Sequence, residues 1–195
     1  VVKHFETKIM KKILLLNFLF LSFIGFAQEF EVTPNGLRDK SNLENEYLVI
    51  KTPNKSATEL YENAIKYINE KYKNPEKVIK GKTENEYLRF ETYVGQFTKV
   101  NNSGVKLDIS ATYTTELRFK DGKVRYEITQ LDMTADNGGR NVYWKGSIWK
   151  GYPIFNKKDE LRLEETKTDL ENYFNAQVKI ISDFLNDKKS EKDDW

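Results

Sequence analysis

The feature that most limits how this chain can fold is an unbroken two-residue alternation over residues 106–119. Leu107, Ile109, Ala111, Tyr113, Thr115, Leu117 and Phe119 fall on one side, and Asp108, Ser110, Thr112, Thr114, Glu116 and Arg118 on the other. Strand side chains point to opposite faces in turn, so this is a long strand with one covered and one wet face. Lys120-Asp121-Gly122-Lys123 supplies a hairpin turn, and Val124, Tyr126 and Ile128 resume the apolar face. Residues 86–94 carry the same pattern, with Leu88, Phe90, Thr92 and Val94 on one side and Tyr87, Arg89, Glu91 and Tyr93 on the other. Such strands suit an antiparallel sheet solvated on one side.

The covered face needs a cover, and two helices provide one. Ser56-Ala57-Thr58-Glu59 is a capping box, in which the Ser hydroxyl takes an orphan N–H and the Glu reaches back. Leu60, Tyr61, Ala64, Ile65, Ile68 and Tyr72 then share a helical face, with Glu62 four residues before Lys66 on the opposite side. This helix spans 57–73, and Asn74-Pro75 ends it. Thr168-Asp169-Leu170-Glu171 reads as a second capping box, opening a helix striped by Leu170, Tyr173, Phe174, Val178, Ile181, Phe184 and Leu185. Residues 47–51 and Val78-Ile79 read as short strands, residues 28–45 as an irregular lead-in with a Pro-Asn-Gly turn, and residues 136–139 as a loop. The expected architecture is α+β, a curved antiparallel sheet with two helices packed on one face.

The N-terminal segment has a different purpose. Met10-Lys11-Lys12 is a start with a positive flank, residues 13–27 are an apolar run, and Gly25-Phe26-Ala27 offers small residues for cleavage before Gln28. The run is shorter than the roughly 20 apolar residues a bilayer span needs. Residues 1–27 are therefore set apart as upstream residues and signal peptide. Residues 28–187 form a single domain and residues 188–195 a charged tail. The expected destination is periplasmic or extracellular, with no stable membrane anchor after cleavage.

Setting the signal aside changes the charge. Residues 1–27 hold four of the 32 basic and one of the 30 acidic residues, which leaves 28 and 29 and a net charge near −1. Nothing in that balance asks for nucleic acid. There is no cysteine, and the only histidine, His4, lies upstream of the signal. Disulfides, thiolate or imidazole metal sites, cysteine nucleophiles and histidine-based triads are excluded from the mature domain. This weakens the case for an enzyme, though carboxylates, Lys and Tyr also catalyse. No cofactor is expected.

Several short stretches resemble one family. They are Phe30 with Val32-Thr33-Pro34-Asn35-Gly36, Tyr47-Leu48-Val49-Ile50, Glu59-Leu60-Tyr61, Tyr72-Lys73-Asn74-Pro75 and Phe119-Lys120-Asp121-Gly122-Lys123-Val124-Arg125. Ile154-Phe155-Asn156-Lys157-Lys158 and Asp169-Leu170-Glu171-Asn172-Tyr173-Phe174-Asn175 extend the likeness towards the C-terminus. Together they resemble an uncharacterised domain family with a TATA-binding-protein-like fold, common in exported proteins of Bacteroidetes-type bacteria. The resemblance implies the sheet-and-helix fold already read from the pattern. It implies no activity and no catalytic residues, and likeness to a DNA-binding fold is not evidence of DNA binding.

The candidate binding residues are Tyr143, Trp144, Trp149 and Tyr152. With Phe155 they make an aromatic segment interleaved with Lys145 and Lys150, in which Trp-Lys-Gly occurs at 144–146 and again at 149–151. Exposed rings offer platforms for sugars or for a partner's apolar edge. The competing reading is a final strand pair that seals the core. The wet face (Arg89, Glu91, Asp108, Glu116, Arg118, Arg125, Glu127) mixes both signs, which cross-strand ion pairing explains. Its carboxylates also offer pairs of the kind glycoside hydrolysis uses, as nearly any sheet of this charge content does. Asp132, Thr134 and Asp136 fail as a calcium loop, because Asn137 stands at the glycine position and Tyr143 at the closing glutamate. The sequence thus points to a non-enzymatic exported module that binds an unidentified protein or small molecule. The alternatives are a carrier holding an apolar ligand between sheet and C-terminal helix, and a carboxylate-dependent hydrolase.

Overall fold

The computed structural model describes residues 28–136 and 139–187. The signal at 10–27, the tail at 188–195 and part of the loop at 136–139 lie outside the described residues. In chain order the elements are β1 (Phe30–Thr33), β2 (Gly36–Asp39), β3 (Tyr47–Lys51), α1 (Ala57–Lys71), α2 (Pro75–Val78), β4 (Ile79–Thr83), β5 (Tyr87–Asn102), β6 (Val105–Lys120), β7 (Lys123–Ala135), β8 (Asn141–Gly146), β9 (Tyr152–Asn156) and α3 (Glu164–Leu185).

The alternation of residues 106–119 becomes β6, at the middle of a seven-stranded open sheet of order β4-β5-β6-β7-β8-β9. β7 is long enough to take two neighbours on its outer edge. Residues 123–127 pair with β3, and Met133 and Thr134 pair with β8. All pairs are antiparallel except β8–β9. β5 runs on past the expected 94 through a bulge at 95–97, where Gln96 takes φ 49°. Such a bulge bends the strand, and here it seats Phe97 against the C-terminal helix. The Phe97 ring lies 5.0 Å from that of Tyr173 and 6.1 Å from that of Phe174.

Both helices cover the apolar face. Tyr61 of α1 meets Phe119 edge-on at 5.7 Å, Phe174 of α3 meets Tyr113 at 5.1 Å, and Tyr67 and Phe184 join the two helices at 5.5 Å. Leu60, Ile68, Leu88, Leu117, Tyr126, Leu170 and Phe174 are fully buried. Burial raises the hydroxyl pKa of Tyr67, Tyr113 and Tyr126 far above the ordinary value, so these groups stay protonated and need partners. Tyr113 and Tyr173 share one hydrogen bond at 2.9 Å, and Tyr72 and Thr92 another at 2.5 Å.

Four local expectations are corrected. The lead-in 28–45 is not irregular: it contains the β1–β2 hairpin, with the Pro-Asn-Gly turn at its tip. Its strands are too short to show alternation, and they pair with no strand of the main sheet; α3 supplies their backbone with partners instead. Asn175 accepts from the Phe30 N–H (2.7 Å) and donates to the Phe30 carbonyl (3.1 Å), and Glu171 accepts from the Val32 N–H (2.9 Å). The second capping box is absent, because the helix begins four residues ahead of Thr168. α3 starts at Glu164, its first flanking residue Leu163 makes no side-chain cap, and Asp169 accepts from Thr98 at 2.6 Å. The first capping box is present as read, but α1 stops at Lys71, and Asn74-Pro75 opens the one-turn α2, which takes in Val78. Lys66 pairs at 3.8 Å with Glu70, one turn after it, and not with Glu62, one turn before it.

Candidate functional site

β8 and β9 lie side by side in parallel, Val142 opposite Tyr152 and Gly146 opposite Asn156, yet only residues 147–151 connect them. A parallel crossover ordinarily takes a dozen or more residues. Here the chain must return four strand steps, about 13 Å, with five residues that reach about 17 Å when extended. The two Trp-Lys-Gly repeats make this possible, because each places a glycine at one end of the connection. A Cβ on Gly146 would lie 2.6 Å from the Tyr143 ring, and one on Gly151 would lie 2.3 Å from the Asn141 carbonyl oxygen. Both glycines also have positive φ, 159° and 157°.

The loop closes around Tyr143. Its ring sits against both glycines, and its hydroxyl donates to the Ser147 carbonyl. Arg140 Nη1 donates to the Ile148 carbonyl at 3.2 Å, and the Lys150 N–H to that of Ser147 at 3.0 Å. Thus the backbone is pinned from inside, while two large apolar side chains at its tip face water. Trp149 is 83% exposed and Ile148 51%.

The aromatic segment therefore divides. Phe155 is buried. Trp144 is half-buried over the β1–β2 turn, its indole 3.7 Å from where a Gly36 Cβ would stand. Tyr152 is half-buried against the core, and Tyr143 serves the loop. Only Trp149 stands free. Sequence reasoning missed Ile148, whose flanking Gly-Ser and Trp-Lys mark a turn but not which side chain escapes it.

Beside the tip is a groove of about 320 Å³. Gly146, Ser147 and Ile148 form one side, and Asn156, Lys157, Lys158, Glu160 and Arg162 the other. The second wall folds back on β9: the Arg162 N–H donates to Ile154 O at 2.8 Å, and the Asn156 N–H to Glu160 O at 2.9 Å. Lys145 is neutralised by Asp159 at 2.5 Å, and Glu160 accepts from Asn156 at 2.6 Å. Lys150, Lys157, Lys158 and Arg162 form no ion pair among the described residues. The rim is accordingly cationic.

The wet sheet face is different in kind, because its charges are largely spent on one another. Lys80–Glu91 (3.2 Å) and Lys99–Asp108 (3.3 Å) pair across strands as expected. Arg118–Glu116 (3.6 Å) and Arg125–Glu127 (2.5 Å) pair along a strand instead, since in register Glu116 faces Glu127 and Arg118 faces Arg125. Arg125 stacks on Tyr47 at 4.0 Å and Arg118 on Tyr87 at 4.9 Å. The opposed carboxylates Glu116 and Glu127 are each held by an arginine on an open face. Among the described residues no group of three or more His, Cys, Asp or Glu is placed to hold a metal ion, and no helix is long and apolar enough to cross a membrane.

Residues 47–134, from β3 to the end of β7, match the family model of a domain of unknown function (DUF4468) with TBP-like fold. The α+β architecture, an open and mostly antiparallel sheet with few helices, is that fold. Among solved structures, a DUF4468 family protein from Bacteroides ovatus is 15% identical, with 75% of this chain and 87% of that one covered and a TM-score of 0.49. A TBP-like protein from Parabacteroides distasonis is 14% identical, with 70% and 90% covered and a TM-score of 0.45. No curated protein matches the chain. The β8–β9 unit and its loop lie beyond the matched residues.

Proposed function

We propose that this chain, a TBP-like α+β domain, is an exported, non-enzymatic binding module that works through the Ile148–Trp149 tip and the groove beside it. The observation that carries the reading is an apolar tip on a pinned loop. Loop 147–151 is held by Arg140, Tyr143 and two tight glycines, yet it leaves Trp149 83% exposed. Exposing an indole forgoes about 2 kcal/mol of burial, and holding it on a fixed backbone lowers the entropy cost of binding. The signal pattern at 10–27 supports export. The lack of His and Cys after residue 27 favours binding over catalysis. A carrier would need room between the sheet and α3, where the rings of Phe97, Tyr113, Tyr173 and Phe174 pack 5.0–6.1 Å apart.

The test is hydroxyl-radical footprinting with mass spectrometry, on the purified protein and on intact envelope from the host. Tyr93, 69% exposed on the sheet face, is the internal reference. Trp149 and Ile148 should be oxidised readily in the purified protein and several-fold less in the envelope, with Tyr93 unchanged, and the mature N-terminus should be Gln28. Equal oxidation of Trp149 in both settings, or a chain retained inside the cell with residues 10–27 intact, would refute the reading.

A further inference from the structure

We infer that the Ile148–Trp149 tip docks reversibly on an anionic bilayer surface, an inference that rests on the binding reading above. The first ground is shape. Ile148 and Trp149 project from the end of a loop, and such a projection meets a surface that yields, as the boundary of headgroups and acyl chains does. An indole is suited to that boundary, with an apolar body and an N–H that stays hydrated.

The second ground is charge, and it comes from a different segment of the chain. Lys157, Lys158 and Arg162 line the groove that Ile148 also lines, and Lys150 adjoins Trp149. None of these four has an ion pair among the described residues. Asp159 is neutralised by Lys145, and Glu160, hydrogen-bonded to Asn156, is the one carboxylate in the groove lining, against the three cations Lys157, Lys158 and Arg162. Two loops thus bring free cations and exposed apolar side chains to the same end of the molecule, although the mature chain as a whole is close to neutral. A soluble polyanion would satisfy the cations but leave Ile148 and Trp149 in water. An anionic bilayer satisfies both. Two apolar side chains and a few cations make a weak, reversible contact and not an anchor.

The test is co-sedimentation of the purified mature protein with vesicles of phosphatidylglycerol and phosphatidylcholine, and with vesicles of phosphatidylcholine alone. Binding is expected only to the first, falling as salt is raised. Each cation near such a surface contributes about fivefold, so Lys150→Gln, Lys157→Gln and Lys158→Gln combined should weaken binding about 100-fold. Trp149→Ala should weaken it about tenfold, while the far-UV spectrum and melting temperature stay those of the wild type. Equal binding to both vesicles, binding to neither, or full binding by Trp149→Ala overturns the inference. If Trp149 is shielded in the envelope while the purified protein ignores anionic vesicles, the binding module stands, its partner is a protein, and the bilayer inference fails. If Trp149 is not shielded in the envelope, the module reading itself has failed.

Discussion

Replacing Gly151 by alanine probes the construction of the site most directly. The new Cβ would stand 2.3 Å from the Asn141 carbonyl oxygen and 2.9 Å from the Tyr143 ring. The first of these is backbone in a paired strand and cannot swing aside. Overpacking of this kind costs about 1–3 kcal/mol. The backbone adds to it, because φ is 157° in a region that side chains rarely adopt, which costs a further 1–3 kcal/mol or so. The expected loss is about 4 kcal/mol, or a fall in melting temperature of about 10 °C for a domain of this size. Gly104→Ala is the control: it has φ 89° but nothing within 4 Å of its Cβ, so only backbone strain of about 1–2 kcal/mol applies. Urea unfolding of both variants, followed by far-UV circular dichroism, reads the difference. If Gly151→Ala is as mild as Gly104→Ala, the loop is not held by the close approach of Gly151 to Asn141, and Trp149 is not presented on a fixed backbone.

Two further outcomes are expected. The tryptophans should separate in stability: Trp149→Ala should stay within about 0.5 kcal/mol of wild type, whereas Trp144→Ala, which uncovers the β1–β2 turn, should cost about 2 kcal/mol by denaturant unfolding; equal losses would return both to the core. Alkaline pH should unfold the protein through its buried tyrosines, because Tyr67, Tyr113 and Tyr126 hold their protons more tightly when folded than when unfolded. Their contribution is complete below the ordinary tyrosine pKa of about 10 and is lost as pH rises above it, at up to about 1.4 kcal/mol per pH unit for each group. Unfolding free energies measured from about pH 9 to 11 should show this fall, and Tyr113→Phe should reduce its slope; a flat profile would mean that the hydroxyls reach water.

What was legible in the sequence was what short-range chemistry decides. The alternation of residues 106–119 and 124–128 specified β6, the first half of β7 and the covered face, because strand side chains alternate whatever lies beside them. The Ser56–Glu59 capping box marked the start of α1 because both of its bonds close within four residues. The Thr168–Glu171 box satisfied the same local rule and failed, because the helix begins at Glu164 and leaves Thr168 in its interior, while Glu171 bonds the Val32 backbone. The β1–β2 hairpin was hidden because its partner is α3, some 140 residues further on. The aromatic segment could be named from sequence but not divided. Tyr143, Trp144 and Trp149 are alike as sequence, and only the taut parallel return between β8 and β9 places the first inside a loop, the second over a turn and the third in water. Exposure belongs to the packed whole, because a side chain is buried or free according to which distant segments come to lie over it.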